Sequence, residues 1–235
     1  MTGVTEIRSQ LRALSDPKIA EHSQRFFKTG PGEYGEGDEF IGIRVPVLRR
    51  VAKDHRELPV SEAEQLLQSK IHEERLLALL ILVMRYRRGD DSVRKKVFDT
   101  YCHNLRFVNN WDLVDSSAHL IVGPHLASRS KRKLHQWAKS RNLWERRIAI
   151  LSTLAYIKDG EFGETIKIAA TLLHDGEDLI HKAVGWMLRE VGNRDRKVEE
   201  EFLKKHYQQM PRTMLRYAIE KFPEAKRKRY LLGKV

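Results

Sequence analysis

The chain has 235 residues, enough to bury a sizeable hydrophobic core in one large domain or two small ones. Its 44 Lys and Arg against 32 Asp and Glu give a net charge of +12, which favours a polyanionic partner: nucleic acid or an anionic membrane surface. No apolar run reaches the roughly 18 residues of a membrane span, and the N-terminus lacks the apolar core of a signal peptide. The single cysteine, Cys102, excludes an internal disulfide, so we expect a cytoplasmic protein without a membrane anchor.

The N-terminal part predicts two short helices within residues 4–28, separated at Asp16-Pro17, where Asp caps a helix and Pro occupies its first turn. An acidic, glycine-rich insert follows at about 29–39. It lacks the Gly-Lys-Ser/Thr of a phosphate-binding loop, and we interpret it as a surface connection. The segment 42–46 then starts a basic helix.

From residue 61 onward the apolar residues recur only with helical periodicity. The predicted helices cover 61–69, 72–88, 91–104, 110–122, 130–140, 143–158, 163–173, 178–191, 195–207, 211–221 and 223–232. Turn signals separate them, among them Gly123-Pro124. No stretch alternates as a half-buried strand does, so the predicted fold class is all-α.

The helices carry a faint internal repeat. Anchors at Arg75, Trp111, Arg147 and Lys182 are spaced by 36, 36 and 35 residues. A period of this length built from helix pairs is typical of an α-solenoid of HEAT-like repeats. We therefore expect a single solenoid domain over 1–235, with a basic concave face suited to an extended partner.

The stretch 109–115, Asn-Asn-Trp-Asp-Leu-Val-Asp, combines an aromatic side chain with a carboxylate. Residues four apart lie within roughly 40° of each other on a helix, so Trp111 and Asp115 share one face. That face points away from the apolar stripe that contains Leu113 and Val114. Such a pair could simply lie at the edge of the hydrophobic core, or it could form a functional site.

The predicted helix 178–191 shows a similar feature. Trp186 lies outside its apolar stripe, with Lys182 and Arg189 on the same side. A tryptophan flanked by cations suits stacking on a base or sugar beside a phosphate. Packing against a neighbouring helix of the solenoid is the alternative.

The predicted helix 143–158 has the opposite feature, because Arg147 falls within its apolar arc. A buried guanidinium needs an anionic partner, since an unpaired buried charge is costly. Asp115 and a DNA phosphate are the two candidates. Basic residues also crowd 129–133, as expected for a track that contacts phosphates.

Four motifs in this order resemble the AlkD-type alkylpurine DNA glycosylases, a HEAT-like family, across most of the chain. They are Phe-x-Gly-Ile-x-x-Pro (40–46), Asn-Asn-Trp-Asp-Leu-Val-Asp (109–115), Trp-x-x-Arg (144–147) and Lys-Ala-Val-Gly-Trp-Met-Leu-Arg-Glu (182–190). The second and fourth are the more specific.

The resemblance implies that Trp111 and Trp186 flank the damaged deoxyribose and that Asp115 is the catalytic carboxylate. It also implies that Arg147 holds a phosphate or that carboxylate. Where the family has a tyrosine, this chain has Phe26-Phe27, which removes a phenolic hydroxyl. We expect the remaining DNA contacts from Phe26, Phe27, Arg44, Arg49, Arg50, Lys182 and Arg189.

The function expected from these features is hydrolysis of the N-glycosidic bond of N3- or N7-alkylated purines in double-stranded DNA. The enzyme would act as a monomer, without a cofactor or metal, because the ten histidines form no metal-ligand motif. No lysine stands out as a nucleophile, which predicts a monofunctional enzyme. The alternatives are a DNA-binding solenoid without catalysis and a protein-binding scaffold.

Overall fold

The computed structural model describes residues 3–235, and its regular structure is helical. The chain divides into two compact units, the first ending at Ser117 and the second running from Ala118 to Val235. In the first unit the α-helices are α1 (Val4–Ala13), α2 (Pro17–Phe26), α3 (Val45–Asp54), α4 (Val60–Leu67), α5 (His72–Arg88), α6 (Asp91–His103) and α7 (Trp111–Asp115).

The second unit contains the remaining helices. They are α8 (Ala118–Leu126), α9 (Arg132–Trp137), α10 (Leu143–Ser152), α11 (Leu154–Lys158), α12 (Gly163–Thr171), α13 (Asp178–Gly192), α14 (Arg196–His206), α15 (Arg212–Ala218) and α16 (Glu224–Leu231). Within residues 3–235 the structure has no strand, only an isolated bridge between Glu39 and Ile71. The all-α prediction is therefore confirmed.

One long helix organises each unit. Helix α5 packs against α3, α4, α6 and α7, and it is buried on nearly every side. Helix α13 packs against α10, α12, α14 and α15 through an apolar stripe. Consecutive helices are thus packed in pairs, as a helical repeat requires. The basic concave face and the single domain over 1–235 stay predictions.

The predicted helix 110–122 is wrong in its bounds. Helix α7 ends at Asp115, and α8 begins at Ala118. The Ser117 hydroxyl donates to the Leu113 carbonyl at 2.6 Å, and the Ser117 amide bonds to Val114, three residues back. This local bonding competes with the helical ladder and separates the two helices.

The predicted turn at Gly123-Pro124 is also wrong, because both residues lie inside α8. A Cβ atom at Gly123 would lie 2.3 Å from the Ser152 carbonyl oxygen and 2.7 Å from the Ala155 Cβ. The glycine therefore allows α8 to approach the α10–α11 region closely; it does not form a turn. Helix 143–158 is likewise divided at Thr153, whose hydroxyl donates to the Ile150 carbonyl at 2.7 Å.

A buried glutamate in the second unit makes the stability of the protein depend on pH. Glu199 of α14 is 1% exposed, and its Oε1 has no hydrogen-bond partner within residues 3–235. Burial raises the pKa of Glu199 from 4.5 to about 8, although Arg196 has the opposite effect. The raised pKa means that stability falls as pH rises from about 4.5 to about 8.

We expect Glu199→Gln to stabilise the protein at pH 8.5 by about 2–4 kcal/mol, since an amide has no proton to lose. At pH 4 the variant and the wild type should unfold alike. Denaturant unfolding followed at both pH values measures this, with the exposed Glu201→Gln as the matched control. A gain of the same size at both pH values would show that the carboxylate charge is not the cause.

Candidate functional site

The tryptophan predicted to form a site begins the short helix α7. The side chain of the buried Asn110 accepts a hydrogen bond from the Trp111 amide at 2.8 Å and so caps the helix. Leu113 and Val114 are fully buried, and Trp111 and Asp115 are both half-buried. The helix therefore holds an indole and a carboxylate at its two ends with part of each accessible to solvent.

The other end of α7 is anchored on α6. The Tyr101 hydroxyl lies 3.1 Å from the Ser117 hydroxyl in a fully buried position. Burial, with a smaller contribution from the charge of Asp115, raises the pKa of Tyr101 above its usual value. The buried contact between Tyr101 and Ser117 therefore holds the end of α7 against α6.

A cluster of aromatic rings supports Trp111. The Phe27 ring stacks on the Trp111 ring with centroids 5.2 Å apart, and the Phe40 ring stacks on Phe27 at 5.1 Å. The His72 ring stacks on Phe40 at 4.5 Å and also lies 5.1 Å from Phe27, so these three rings form a triangle. The exposed Phe26 meets Trp111 edge-on at 5.9 Å. Stacked and edge-to-face pairs are the favoured aromatic geometries, so these contacts define the position of the Trp111 indole.

A network of buried charges surrounds the His72 ring of this cluster. His72 Nδ1 is 3.1 Å from Asp38, and Nε2 is 2.8 Å from Asp112. Arg75 contacts Asp38 at 2.6 Å, and Asn109 donates to Asp38 at 3.0 Å. Burial alone would lower the pKa of His72, but the neighbouring carboxylates, Asp112 most of all, raise it to about 9.

The same network lowers the pKa of Asp38. Burial alone would raise it, but the hydrogen bond from His72, the charge of Arg75 and the hydrogen bond from Asn109 together outweigh the burial. Asp38 closes the glycine-rich insert, which we interpreted as a surface connection. That interpretation is wrong for Asp38, which is buried, although most residues of the insert are exposed.

The motif 40–46 owes its shape to a buried glutamate. The Glu73 carboxylate accepts hydrogen bonds from the backbone amides of Ile41, Gly42 and Ile43 at 2.8–3.2 Å. Gly42 has φ +84°, and a Cβ atom there would lie 2.0 Å from the Asp16 carbonyl oxygen. Glycine is therefore required at this position, and the turn leads Pro46 into the first turn of α3.

In the second unit, Trp186 is half-buried on α13 and its Nε1 donates to Glu190 at 3.3 Å. Lys182 pairs with Asp178 at 2.7 Å, and Arg189 pairs with Glu220. The two predicted cations beside Trp186 therefore have carboxylate partners in this structure.

Arg147 is 5% exposed, as its place in the apolar arc indicates, and it donates to the Leu179 carbonyl at 2.5 Å. Arg44, Arg49 and Arg50 are exposed at the start of α3 and on its surface. Within residues 3–235 none of these three arginines takes part in an ion pair with a described residue. Cys102 is half-buried.

Five residues of this region were not predicted as site residues, although one of them, Asp112, lies in the motif 109–115: Asp38, His72, Glu73, Arg75 and Asp112. Three of them belong to one charged run, 72–75, at the start of α5, which is buried on nearly every side. A charged run at the start of such a buried helix indicates internal ion pairs, and this was the available clue.

Within the described part of the chain, no group of His, Cys, Asp or Glu side chains has the arrangement needed to hold a metal ion. None of its helices combines the length and apolarity needed to cross a bilayer. The site therefore consists of aromatic rings, carboxylates and cations.

These features define an all-helical protein with a half-buried tryptophan and carboxylate on one short helix. The sequence profile of the family described as DNA alkylation repair enzyme matches residues 7–222, and the chain belongs to this family. Membership supports a role in the repair of alkylated DNA and hence DNA binding.

Among solved structures, one described as a predicted DNA alkylation repair enzyme from Enterococcus faecalis is similar, with a TM-score of 0.68 and 18% sequence identity. The alignment covers 89% of this chain and 97% of that chain. At this level of identity the similarity shows a shared fold. A search of curated proteins finds no match.

Proposed function

We propose that this protein is a monofunctional DNA glycosylase that hydrolyses the N-glycosidic bond of cationic N3- or N7-alkylated purines in duplex DNA. The observation that carries the proposal is helix α7, which presents Trp111 and Asp115, both half-buried, on a fixed support. Family membership supplies the substrate class, alkylated DNA. We further propose that the enzyme is monomeric and cytoplasmic.

The chemistry needs little from the protein because alkylation makes the purine a cationic leaving group. The bond from C1′ to the purine nitrogen breaks, its electron pair neutralises the purine, and the sugar becomes oxocarbenium-like. Water then adds to C1′ and loses a proton. An ionised carboxylate can both stabilise the sugar cation and orient the water.

The Asp115 carboxylate is our candidate for this role. One anion about 4 Å from the developing cation stabilises it by roughly 4 kcal/mol at an effective dielectric constant near 20. That energy corresponds to an increase in rate of about a thousandfold. The electron-rich face of Trp111 adds a favourable contact with a positively charged sugar.

We propose that the base is not extruded into a closed pocket. Trp111 offers a surface supported from behind by Phe27, and both faces of the Phe27 ring are occupied by Trp111 and Phe40. A second indole surface would come from Trp186. An open surface of this kind tolerates bulky adducts. The mechanism acts poorly on neutral lesions because a neutral purine is a poor leaving group.

DNA contacts in this proposal come from two sets of residues. The exposed arginines Arg44, Arg49 and Arg50 contact phosphates, and their charge makes binding salt-dependent. Phe26, which is 56% exposed beside Trp111, contacts the nucleotide through an apolar ring without a phenolic hydroxyl. Lys182, Arg189 and Arg147 contribute in the second unit.

The decisive experiment is incubation of the protein with duplex DNA that contains N7-methylguanine, followed by chromatography for the free base. We expect free N7-methylguanine and an abasic site without strand cleavage. Salt-sensitive binding without release of the base would overturn the proposal and favour a DNA-binding protein without catalysis.

We expect Trp186→Ala to weaken binding of the damaged duplex and to slow release of the base, each by about tenfold or more. The reason is that stacking of an aromatic side chain on a nucleotide contributes roughly 1–3 kcal/mol. Fluorescence anisotropy measures the first effect and single-turnover kinetics the second. Trp186→Phe, which keeps an aromatic face, should retain most of both. Equal losses in the Ala and Phe variants would contradict a stacking role.

A further inference from the structure

His72 is the residue that joins the parts of the site in the first unit. Both ring nitrogens lie within hydrogen-bond distance of a carboxylate, Asp38 on one side and Asp112 on the other. An ionised carboxylate only accepts hydrogen bonds, so each ring nitrogen has to carry a proton. His72 is therefore an imidazolium, and it is 1% exposed.

The surrounding charges come from three parts of the chain. The insert provides Asp38, α7 provides Asp112, and α5 itself provides Arg75, which lies 3.5 Å from His72 Nδ1. Glu73, the next residue on α5, is directed at the backbone amides of 41–43. His72 thus carries a positive charge between the two carboxylates, and it is the cation that joins Asp112 to the pair formed by Asp38 and Arg75.

The His72 ring is also part of the cluster of aromatic rings. It stacks on Phe40 with an angle of 21° between the planes, and it lies 5.1 Å from Phe27 with an angle of 34°. The Phe27 ring in turn stacks on Trp111 with an angle of 21°. His72 therefore acts on the indole through Phe27, which it contacts directly and also by way of Phe40. In addition, Asp112 follows Trp111 directly in the chain, so His72 restrains the indole both through the rings and through the backbone.

We propose that His72 is a positioning residue for Trp111: the imidazolium, bound to Asp38 and Asp112 and stacked on Phe40, fixes the indole in its orientation for the damaged deoxyribose. This inference rests on the proposed function only for the role of Trp111 in catalysis. The fixed orientation itself is a property of the protein without DNA.

A cavity gives solvent access to His72 and the groups around it. It has a volume of about 540 Å³ and is bordered by Phe27, Phe40, His72 and Asp112. The cationic side chains Lys18 and Arg44 and the imidazole of His22 line other parts of it. Protons can therefore reach the buried imidazolium, and the orientation of Trp111 becomes dependent on pH.

The sign of that dependence follows from the pKa of His72, which is raised from 6.5 to about 9. The stabilisation by the two carboxylates is complete below pH 6.5 and is lost as pH rises through about 9. Above that value the neutral ring can donate to only one of the two carboxylates. The restraint on α7 is then weakened.

The test uses the full chain labelled with 5-fluorotryptophan, which gives a fluorine resonance for each of the four tryptophans. Trp111→Phe identifies the resonance of Trp111. In the wild type we expect this resonance to shift with a midpoint near pH 9, and in His72→Gln we expect no such transition. The exposed His103→Gln is the matched control and should titrate as the wild type does.

A Trp111 resonance that does not titrate between pH 7 and 10, or that titrates equally in His72→Gln, overturns the inference. The wild-type titration alone already decides this if His72→Gln does not fold. His72→Phe keeps an aromatic ring in the cluster but loses both hydrogen bonds, and it too should lack the transition.

Kinetics separate this inference from the proposed function. At pH 7 we expect His72→Gln to release N7-methylguanine about 10–100-fold more slowly than the wild type, with binding of undamaged duplex unchanged, because misplacement of the indole impairs only the reacting geometry. Wild-type release by a folded His72→Gln overturns the positioning role and leaves the glycosylase proposal intact. A Trp111 resonance that titrates in a protein that releases no base would overturn the glycosylase proposal and leave the fixed orientation of Trp111 by His72 intact.

Discussion

Asp115→Asn is expected to reduce release of N7-methylguanine by about a thousandfold, while the affinity for DNA remains close to that of the wild type. The amide keeps the size of the side chain but removes the negative charge that would stabilise the sugar cation, a contribution of roughly 4 kcal/mol. Single-turnover release of the base measures the rate, and a filter-binding titration measures the affinity.

The matched control is Asp91→Asn, which changes an exposed aspartate at the start of α6 in the same unit. It should release the base at the wild-type rate. Release by Asp115→Asn within about threefold of the wild type, a change of less than roughly 1 kcal/mol, would exclude Asp115 as the catalytic group.

Asp112 is the other carboxylate on α7, and the structure gives it a different task. Its Oδ2 lies 2.8 Å from His72, and its Oδ1 accepts from the Leu113 amide at 2.8 Å. Both oxygens are thus engaged within the protein. Asp112 therefore fixes the helix, and Asp115, at the other end of the helix, is the better candidate to meet the substrate.

The periodicity of the sequence predicts the long helices well because their apolar stripes determine their packing. The predicted helix 72–88 coincides with α5, and the predicted helix 178–191 differs from α13 by one residue. Around residues 116–124 the periodicity fails. There a serine hydroxyl and a glycine contact decide the geometry, and neither leaves an apolar repeat in the sequence.

The candidate site is predictable only in part, for a similar reason. Trp111 and Asp115 are distinguished by their place on one helix face, which spacing alone predicts. Asp38 and His72 are 34 residues apart, and Asp38 and Asn109 are 71 apart. Buried ion pairs and hydrogen bonds over such separations depend on tertiary packing, so a single sequence does not reveal them.

The motif 40–46 shows how such a contact gives meaning to a sequence pattern. Phe40 contributes a ring to the aromatic cluster, and Gly42 adopts a backbone conformation that other residues disfavour. The amides of Ile41, Gly42 and Ile43 all point at Glu73. The pattern thus encodes a turn that needs a carboxylate from another helix, 30–32 residues further along the chain.

Glu73→Ala is therefore expected to destabilise the protein strongly, by roughly 3–5 kcal/mol, because it leaves the amide groups of this turn without their acceptor. The expected fall in melting temperature is about 10 °C or more. Glu73→Gln should cost less, since its single carbonyl oxygen can replace Oε1, which accepts from Gly42 and Ile43. Calorimetry on the full chain gives the order of the three proteins.

Glu6→Ala, at an exposed glutamate in the first turn of α1, is the matched control and should change stability by no more than about 0.5 kcal/mol. A loss in Glu73→Ala no larger than in Glu6→Ala would show that water satisfies the amides of the turn equally well. If the wild type, Glu73→Gln and Glu73→Ala follow this order of decreasing stability, the turn depends on the buried carboxylate. Glu73 would then fix the position of Phe40 and, through the aromatic cluster, the position of Trp111.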